Sequence, residues 1–125
     1  MKPSPLRDKS ASFAKSIILA TRAMRENHIE SALTNQLLRC GTSVGANIHE
    51  AQFAQGKRDF ISKLEISLKE CNECDYWLNL LKETDSIDES SFRDLYNQCM
   101  ELRRMLVSSI TTAKSSQSQF ICYTY

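Results

Sequence analysis

Residues 36–51 read QLLRCGTSVGANIHEA, and this stretch decides how the rest of the chain can fold. Its apolar residues recur at the spacing of one helix face: Leu37, Cys40, Val44, Ile48 and Ala51. Gly41 and Gly45 lie beside that face, although glycine costs about 1 kcal/mol relative to alanine inside a helix. We therefore expect this helix to contain a site of close backbone approach.

A polar stripe runs along the same predicted helix, formed by Arg39, Ser43, Asn47 and Glu50. One interpretation is a solvated face whose local pairs contribute a few tenths of a kcal/mol each. The other is that the stripe pairs with Lys69, Glu70 and Glu73 of another helix or another subunit, with Arg39 holding a carboxylate at two points. The glycines favour the second interpretation, with glycines and stripe forming one contact surface.

Helical periodicity extends over most of the 125 residues. It predicts a first helix over about 10–27, capped by Asp8 or Ser10, and a second from about 31–34 to 55, ended by Gly56. A third helix is predicted over about 58–83. The fourth follows the polar break TDSIDESS and runs to about residue 113, capped by Ser86 in a capping box or by Asp88.

These segments predict an all-α, antiparallel up-down-up-down four-helix bundle. The composition agrees, because three glycines and two prolines, both before residue 6, leave little to break helices. We expect residues 1–9 to be an N-terminal tail, 10–114 the bundle domain and 115–125 a C-terminal tail.

Bulk properties exclude several classes of protein. No apolar run approaches the roughly 20 residues that span a bilayer, and MKPSPLRDKS lacks the apolar core of a signal peptide. We therefore expect a cytoplasmic protein that does not enter a membrane. Its five cysteines are then expected to be reduced and to pack as small hydrophobes.

The third predicted helix carries a second line of residues about 100° from its apolar face: Ile66, Glu70, Glu73 and Trp77. An isoleucine and a tryptophan outside the main stripe need a second partner surface. We expect this line and the Arg39 stripe to form an assembly interface, within the chain or between subunits.

Catalytic and metal sites are weakly indicated. Cys71 and Cys74 form a C-x-x-C, but a structural zinc site needs two more ligands and His28 and His49 are isolated. A thioredoxin-like motif would follow a strand. We therefore predict no catalytic residues, metal, cofactor or small-molecule substrate, and favour core packing for both thiols.

Nucleic-acid binding is the alternative function. Residues 1–58 hold nine Lys/Arg against four Asp/Glu, and Lys15, Arg22 and Arg25 of the first helix are the candidate phosphate contacts. The sequence has no helix-turn-helix, zinc-finger or RNP motif. An oligomer that gathered these basic faces would bind RNA or DNA better than a monomer of net charge +1.

Two blocks of sequence resemble a known family, the bacterial four-helix-bundle proteins encoded by intervening sequences of 23S ribosomal RNA genes. The first block contains Gln36, Arg39, Ser43, Val44, Asn47, Ile48 and Glu50. The second contains Phe60, Lys69, Glu70, Glu73, Tyr76, Trp77 and Leu78. His49 and Ala51 depart from that pattern, where a small residue and glycine are common.

This resemblance implies a left-handed bundle that assembles into a ring-like homopentamer, and no enzymatic activity is established for the family. The family is also similar to the accessory variability protein of diversity-generating retroelements, a basic pentamer that associates with a reverse transcriptase and nucleic acid. The near-neutral charge of this chain departs from that relative. We therefore expect a homo-oligomeric assembly or adaptor protein first, and a nucleic-acid-binding accessory protein second.

Overall fold

A computed structural model describes residues 4–115, which form four helices. They are α1 (Pro5–Glu26), α2 (Ser31–Ala51), α3 (Lys57–Glu83) and α4 (Glu89–Ser115). Each helix packs on the next, and α4 returns to pack on α1, so the four helices enclose one core. No strand occurs in this part of the chain, and the predicted all-α four-helix bundle is confirmed. Apart from Ser115, the predicted C-terminal tail lies outside the described residues.

The start of α1 was predicted too late. Ser4 caps the helix, because its Oγ accepts a hydrogen bond from the backbone N–H of Arg7 at 3.2 Å. Pro5 occupies the first turn, where a missing N–H costs nothing. Neither Asp8 nor Ser10 is the cap, and the first turn of α1 occupies part of the predicted N-terminal tail.

The end of α2 was also predicted wrongly, because Gly56 does not end it. The helix stops at Ala51, and the next amides bond three residues back: Gln52 to the His49 carbonyl at 3.1 Å and Phe53 to the Glu50 carbonyl at 3.0 Å. Gly56 instead stands at the N-cap of α3, in extended backbone.

One of the two alternative caps predicted for α4 is correct. Asp88 accepts a hydrogen bond on Oδ2 from the backbone N–H of Ser91 at 3.0 Å. The bonds from Ser91 lower the pKa of Asp88. Ser86, the other alternative, contacts the Thr84 hydroxyl at 2.8 Å and so belongs to the turn before the helix.

The core follows the predicted apolar faces closely. All five apolar residues of the α2 stripe are completely buried. No helix of the described region combines the length and apolarity that crossing a bilayer requires.

Four cysteines meet at the centre of the core. The sulfurs of Cys40 and Cys74 are 3.3 Å apart, and the Cys99 thiol contacts the Cys71 carbonyl at 3.4 Å. Hydrogen bonding to the neighbouring thiols and burial raise the pKa of Cys71 and of Cys74. These four cysteines are therefore free thiols packed in the core as small side chains, as predicted; Cys122 lies outside the described residues.

Candidate functional site: the outer face of α2 and α3

The two glycines of α2 face α1. A Cβ on Gly41 would lie 2.8 Å from two side-chain carbons of Ile17, and one on Gly45 would lie 3.3 Å from the Ser10 carbonyl oxygen. The close approach expected from the glycines therefore exists, and it joins α2 to α1. The expectation that the glycines belong to the same contact surface as the Arg39 stripe was wrong, because that stripe faces α3.

Arg39 is the centre of the contact between α2 and α3. Its Nη1 lies 3.2 Å from Oε1 and 3.3 Å from Oε2 of Glu70, and its Nη2 binds Glu73. Partial burial alone would lower the pKa of Arg39, but attraction to Glu70 and Glu73 raises it. The side chain of Glu70 is 16% exposed, so this carboxylate is the most enclosed member of the three. One cation thus holds two carboxylates within the same chain.

The rest of the polar stripe divides between a cross-helix pair and a local bond. Glu50 pairs with Lys63 of α3 at 3.0 Å, and this bond raises the pKa of Lys63. Asn47 donates to the Ser43 carbonyl of its own helix at 2.9 Å. The predicted pairing between helices is therefore correct for Arg39. Glu50 also pairs across the helices, but with Lys63, which was not among the predicted partners. The local interpretation is correct for Asn47.

A buried hydrogen bond lies between these ion pairs. Ser67 of α3 is completely buried, and its hydroxyl donates to the Val44 carbonyl of α2 at 2.8 Å. The contacts of Arg39, Val44 and Glu50 follow one another towards the C-terminus of α2. Their partners Glu70, Ser67 and Lys63 follow one another towards the N-terminus of α3, as expected for antiparallel helices. A serine side chain thus brings the two backbones close without leaving a buried hydroxyl unpaired.

An aromatic depression adjoins the Arg39 ion pairs. Its volume is about 530 Å³, and it is lined by Gln36, Arg39, Lys69, Asn72, Glu73, Tyr76 and Trp77. Tyr76 is 61% exposed and meets Trp77 edge to face, with ring centroids 5.0 Å apart. Ile66, on the same helix, is 40% exposed. The structure therefore leaves apolar and aromatic surface uncovered beside a fixed set of charges.

The candidate phosphate contacts of α1 have different surroundings. Lys15 and Arg22 are exposed. The acidic residues Asp8 and Glu26 lie on the same face of α1, at helical spacing from them. Arg25 is already engaged, because its guanidinium donates to the Thr34 hydroxyl at 3.3 Å and to the side chain of Asn35. The three residues thus form no uniform basic face on a single chain.

The other chemistry-bearing residues have structural surroundings. Both Cys71 and Cys74 lie in the core. His49 is exposed and packs on the ring of Phe53, with centroids 5.2 Å apart. Within residues 4–115, no three His, Cys, Asp or Glu side chains are placed to hold a metal ion.

Three residues of this region were not recognised from the sequence as members of the contact. Lys63 and Ser67 bind α2, and Tyr76 supplies most of the exposed aromatic surface. Antiparallel counting from the Arg39–Glu73 pair places residue 62 opposite Glu50, which is one residue from Lys63. Ser67 carried a weaker signal, since it is a small polar residue inside the apolar face of its helix.

Comparison with solved structures identifies a similar protein. It comes from Bacteroides thetaiotaomicron VPI-5482 and is described as a protein with unknown function from the S23 ribosomal protein family. The two chains are 42% identical, the match covers 84% of this chain and 97% of that one, and the TM-score is 0.82. No curated protein matches the chain significantly.

The family comparison agrees with the two sequence blocks. The model of the 23S rRNA-intervening sequence proteins matches residues 5–108, which include α1, α2, α3 and most of α4. The further similarity to the retroelement accessory protein stays a prediction. On the matched residues and the shared fold, the chain belongs to the 23S rRNA-intervening sequence protein family.

Proposed function

We propose that this chain is a non-enzymatic assembly or adaptor protein that works in the cytoplasm as a homo-oligomer, a pentamer. The observation that carries the proposal is the exposed ring of Tyr76, which meets the half-buried Trp77 edge to face at the aromatic depression on α2 and α3. Tyrosine, tryptophan and arginine are the residues most enriched at the energetic centres of protein interfaces. Here all three occur together, with Ile66 extending the apolar surface along α3.

The intrachain ion pairs support a binding role for this face. Arg39 is held by Glu70 and Glu73 before any partner arrives, so docking would order few additional side chains. The same pairing disfavours acid–base chemistry, because Glu50 and Glu70 already have cationic partners. A face that combines fixed charges with an exposed aromatic ring is suited to recognising another protein surface.

Oligomeric mass tests this proposal. Sedimentation velocity should give an assembly of about five chains of 14.3 kDa at micromolar concentration. Ile66→Asp and Tyr76→Ala should shift the mass towards that of one chain while leaving the helical circular dichroism unchanged. Leu19→Asp is the matched control, since Leu19 is 64% exposed on α1 and away from this face.

Two results would contradict the proposal. One is a monomer mass for the unsubstituted protein at tens of micromolar. The other is an assembly that Ile66→Asp and Tyr76→Ala leave intact, which would move the interface to another surface.

Nucleic-acid binding is the second candidate, favoured by one observation. Lys15 and Arg22 are exposed and form no ion pair within the described residues. If an oligomer gathers them, binding to structured RNA should weaken with salt and weaken further in a Lys15→Glu, Arg22→Glu variant. Arg25→Glu is a poor test, because Arg25 joins α1 to α2. No binding at low salt would exclude this function.

A further inference from the structure

A basic depression on α4 lies apart from the aromatic depression on α2 and α3. Its volume is about 440 Å³, and its lining residues all belong to α4: Met100, Arg103, Arg104, Val107 and Ser108. Val107 is 47% exposed. Both arginines are exposed, and neither has an ion-pair partner among residues 4–115. The depression therefore presents an apolar centre beside two cations whose charge nothing in that part of the chain offsets.

Tyr76 of α3 has surroundings of the opposite charge. Its ring lines the aromatic depression and also a neighbouring one of about 400 Å³, whose other lining residues are Asn72, Asp75, Asn79, Leu80 and Glu83. The carboxylates of Asp75 and Glu83 form no ion pair with any described residue. Guanidinium groups bind both aromatic rings and carboxylates. A ring beside two carboxylates is therefore the chemical counterpart of a valine beside two arginines.

The two surfaces also agree in shape and length. Tyr76 is 61% exposed and forms a ridge between two depressions, whereas the α4 surface is itself a depression. At a rise of 1.5 Å per residue, residues 100–108 extend over about 12 Å and residues 72–83 over about 16 Å. One surface can thus receive the other along its whole length.

The position of the basic depression suits the closure of a ring. Arg103, Val107 and Lys114 share one side of α4, and Lys114 pairs with Glu65 of α3 at 2.9 Å. The depression therefore lies on the side of the bundle that α4 shares with α3, next to the side that α2 shares with α3. Neighbouring sides of a four-helix bundle point about 90° apart. A closed ring needs about 90° between the two contact surfaces of each copy for four copies, and about 108° for five.

On the basis of the assembly proposed above, we propose that the basic depression of one copy receives Tyr76 of the next copy. Val107 packs on the ring, and Arg103 and Arg104 pair with the two carboxylates that flank Tyr76. Each copy then uses two different faces, so the contacts run head to tail around a closed ring. The partner of the aromatic surface is a second copy of this chain.

Val107→Asp tests the α4 face, because it removes the apolar centre and gives the two arginines a carboxylate of their own. We expect the mass from sedimentation velocity to fall from about five chains to one, with the helical circular dichroism unchanged. The matched control is Thr112→Asp, which is also exposed on α4. Thr112 lies three turns beyond Glu101, the residue that pairs with Lys9 of α1, so it is on the other side of the helix and its substitution should leave the mass unchanged.

A mixture of two variants tests whether the two faces bind each other. Val107→Asp keeps the Tyr76 surface, and Tyr76→Ala keeps the α4 surface, so one copy of each can form one junction but no ring. An equimolar mixture should therefore give a species of about twice 14.3 kDa, whereas each variant alone stays at the mass of one chain. Native mass spectrometry distinguishes a mixed pair from two copies of one variant, because the substitutions differ in mass.

A mixture without that mixed pair would overturn the head-to-tail contact. A variant that pairs with itself would also overturn it, since such a contact is twofold. An assembly that Tyr76→Ala dissociates and Val107→Asp leaves intact would overturn the role of α4 alone and leave the proposed function standing. A monomeric unsubstituted protein would refute the assembly and its head-to-tail contact together.

Discussion

Gly41→Ala tests the closest backbone approach in the bundle. The added Cβ would lie 2.8 Å from Cγ1 and Cγ2 of Ile17 and 3.1 Å from its Cδ1. Carbon atoms in contact prefer separations of about 3.5–4.0 Å, so α1 and α2 would have to move apart or Ile17 would have to leave its rotamer. Ile17 is completely buried, and a β-branched side chain in a helix has one preferred χ1. Neither a helix shift nor a new Ile17 rotamer therefore relieves the clash at a low energetic cost.

The magnitude follows from two opposing terms. Overpacking a filled core costs about 1–3 kcal/mol. Alanine gains back about 1 kcal/mol over glycine in a helix interior. We therefore expect Gly41→Ala to lower the free energy of unfolding by about 1 kcal/mol, which corresponds to a melting temperature about 4 °C lower for a domain of this size.

A double-mutant cycle with Ile17→Ala separates the two terms. Removing the three contacting carbons costs about 2–5 kcal/mol by itself. In that background the Cβ at position 41 meets open space, so Gly41→Ala should become stabilising by about 1 kcal/mol. The coupling free energy between the two positions is then about 2 kcal/mol, well above the error of additivity.

Urea denaturation followed by far-UV circular dichroism measures the cycle, at one fixed protein concentration because assembly would link stability to concentration. Gly45→Ala serves as the comparison, since its Cβ would lie at 3.3 Å from a backbone oxygen and should cost less. A Gly41→Ala protein more stable than the unsubstituted one would refute the argument. So would a coupling free energy near zero.

Three further outcomes are expected. Ser67→Ala removes the buried 2.8 Å bond to the Val44 carbonyl and should cost about 1 kcal/mol in urea denaturation, whereas no loss would mean that the bond is dispensable. Arg39→Met leaves the carboxylates of Glu70 and Glu73 without their cation. Because Arg39 is half exposed, we expect the free energy of unfolding to fall by about 1 kcal/mol or less, and the loss to shrink between 0.1 and 1 M salt. A loss that does not depend on salt would point to packing instead. Hydrogen bonding to neighbouring thiols, together with burial, raises the pKa of Cys71 and Cys74. Above about pH 8.5 the unfolded chain therefore releases protons that the folded chain keeps, and stability should fall by about 1.4 kcal/mol per pH unit for each thiol. Cys71→Ala should reduce that slope, and an unchanged slope would contradict it.

Helix type and core faces were predictable because each depends on local periodicity. All five residues chosen for the core face of α2 are completely buried. Helix ends depend on single hydrogen bonds, and there the sequence was ambiguous. Ser4 and Ser10 are both acceptable caps, and only the bond from the Arg7 amide selects Ser4. Gly56 likewise suits the end of one helix and the start of the next.

The candidate site was predictable as a set of residue types, but its pairing was not. Arg39 and its carboxylate partners were recognised as members of one contact, while the choice between one chain and two was open. The register of α2 against α3 decides that choice, because it puts Glu70 within 3.2 Å of Arg39 in the same chain. Register depends on packing along the whole helix pair, which no local pattern encodes.

The stretch from residue 36 to 51 thus serves two contacts inside the chain, one through Gly41 towards α1 and one through Arg39 towards α3. Neither contact uses the exposed ring of Tyr76 on α3. Substitutions should therefore separate into two groups. Gly41→Ala and Ser67→Ala act on the free energy of unfolding, and Tyr76→Ala acts on the assembled mass. Arg39 lines the aromatic depression while holding Glu70, so Arg39→Met should change both quantities. A variant of Arg39 that lowered stability and left the mass unchanged would place the assembly surface elsewhere on the bundle.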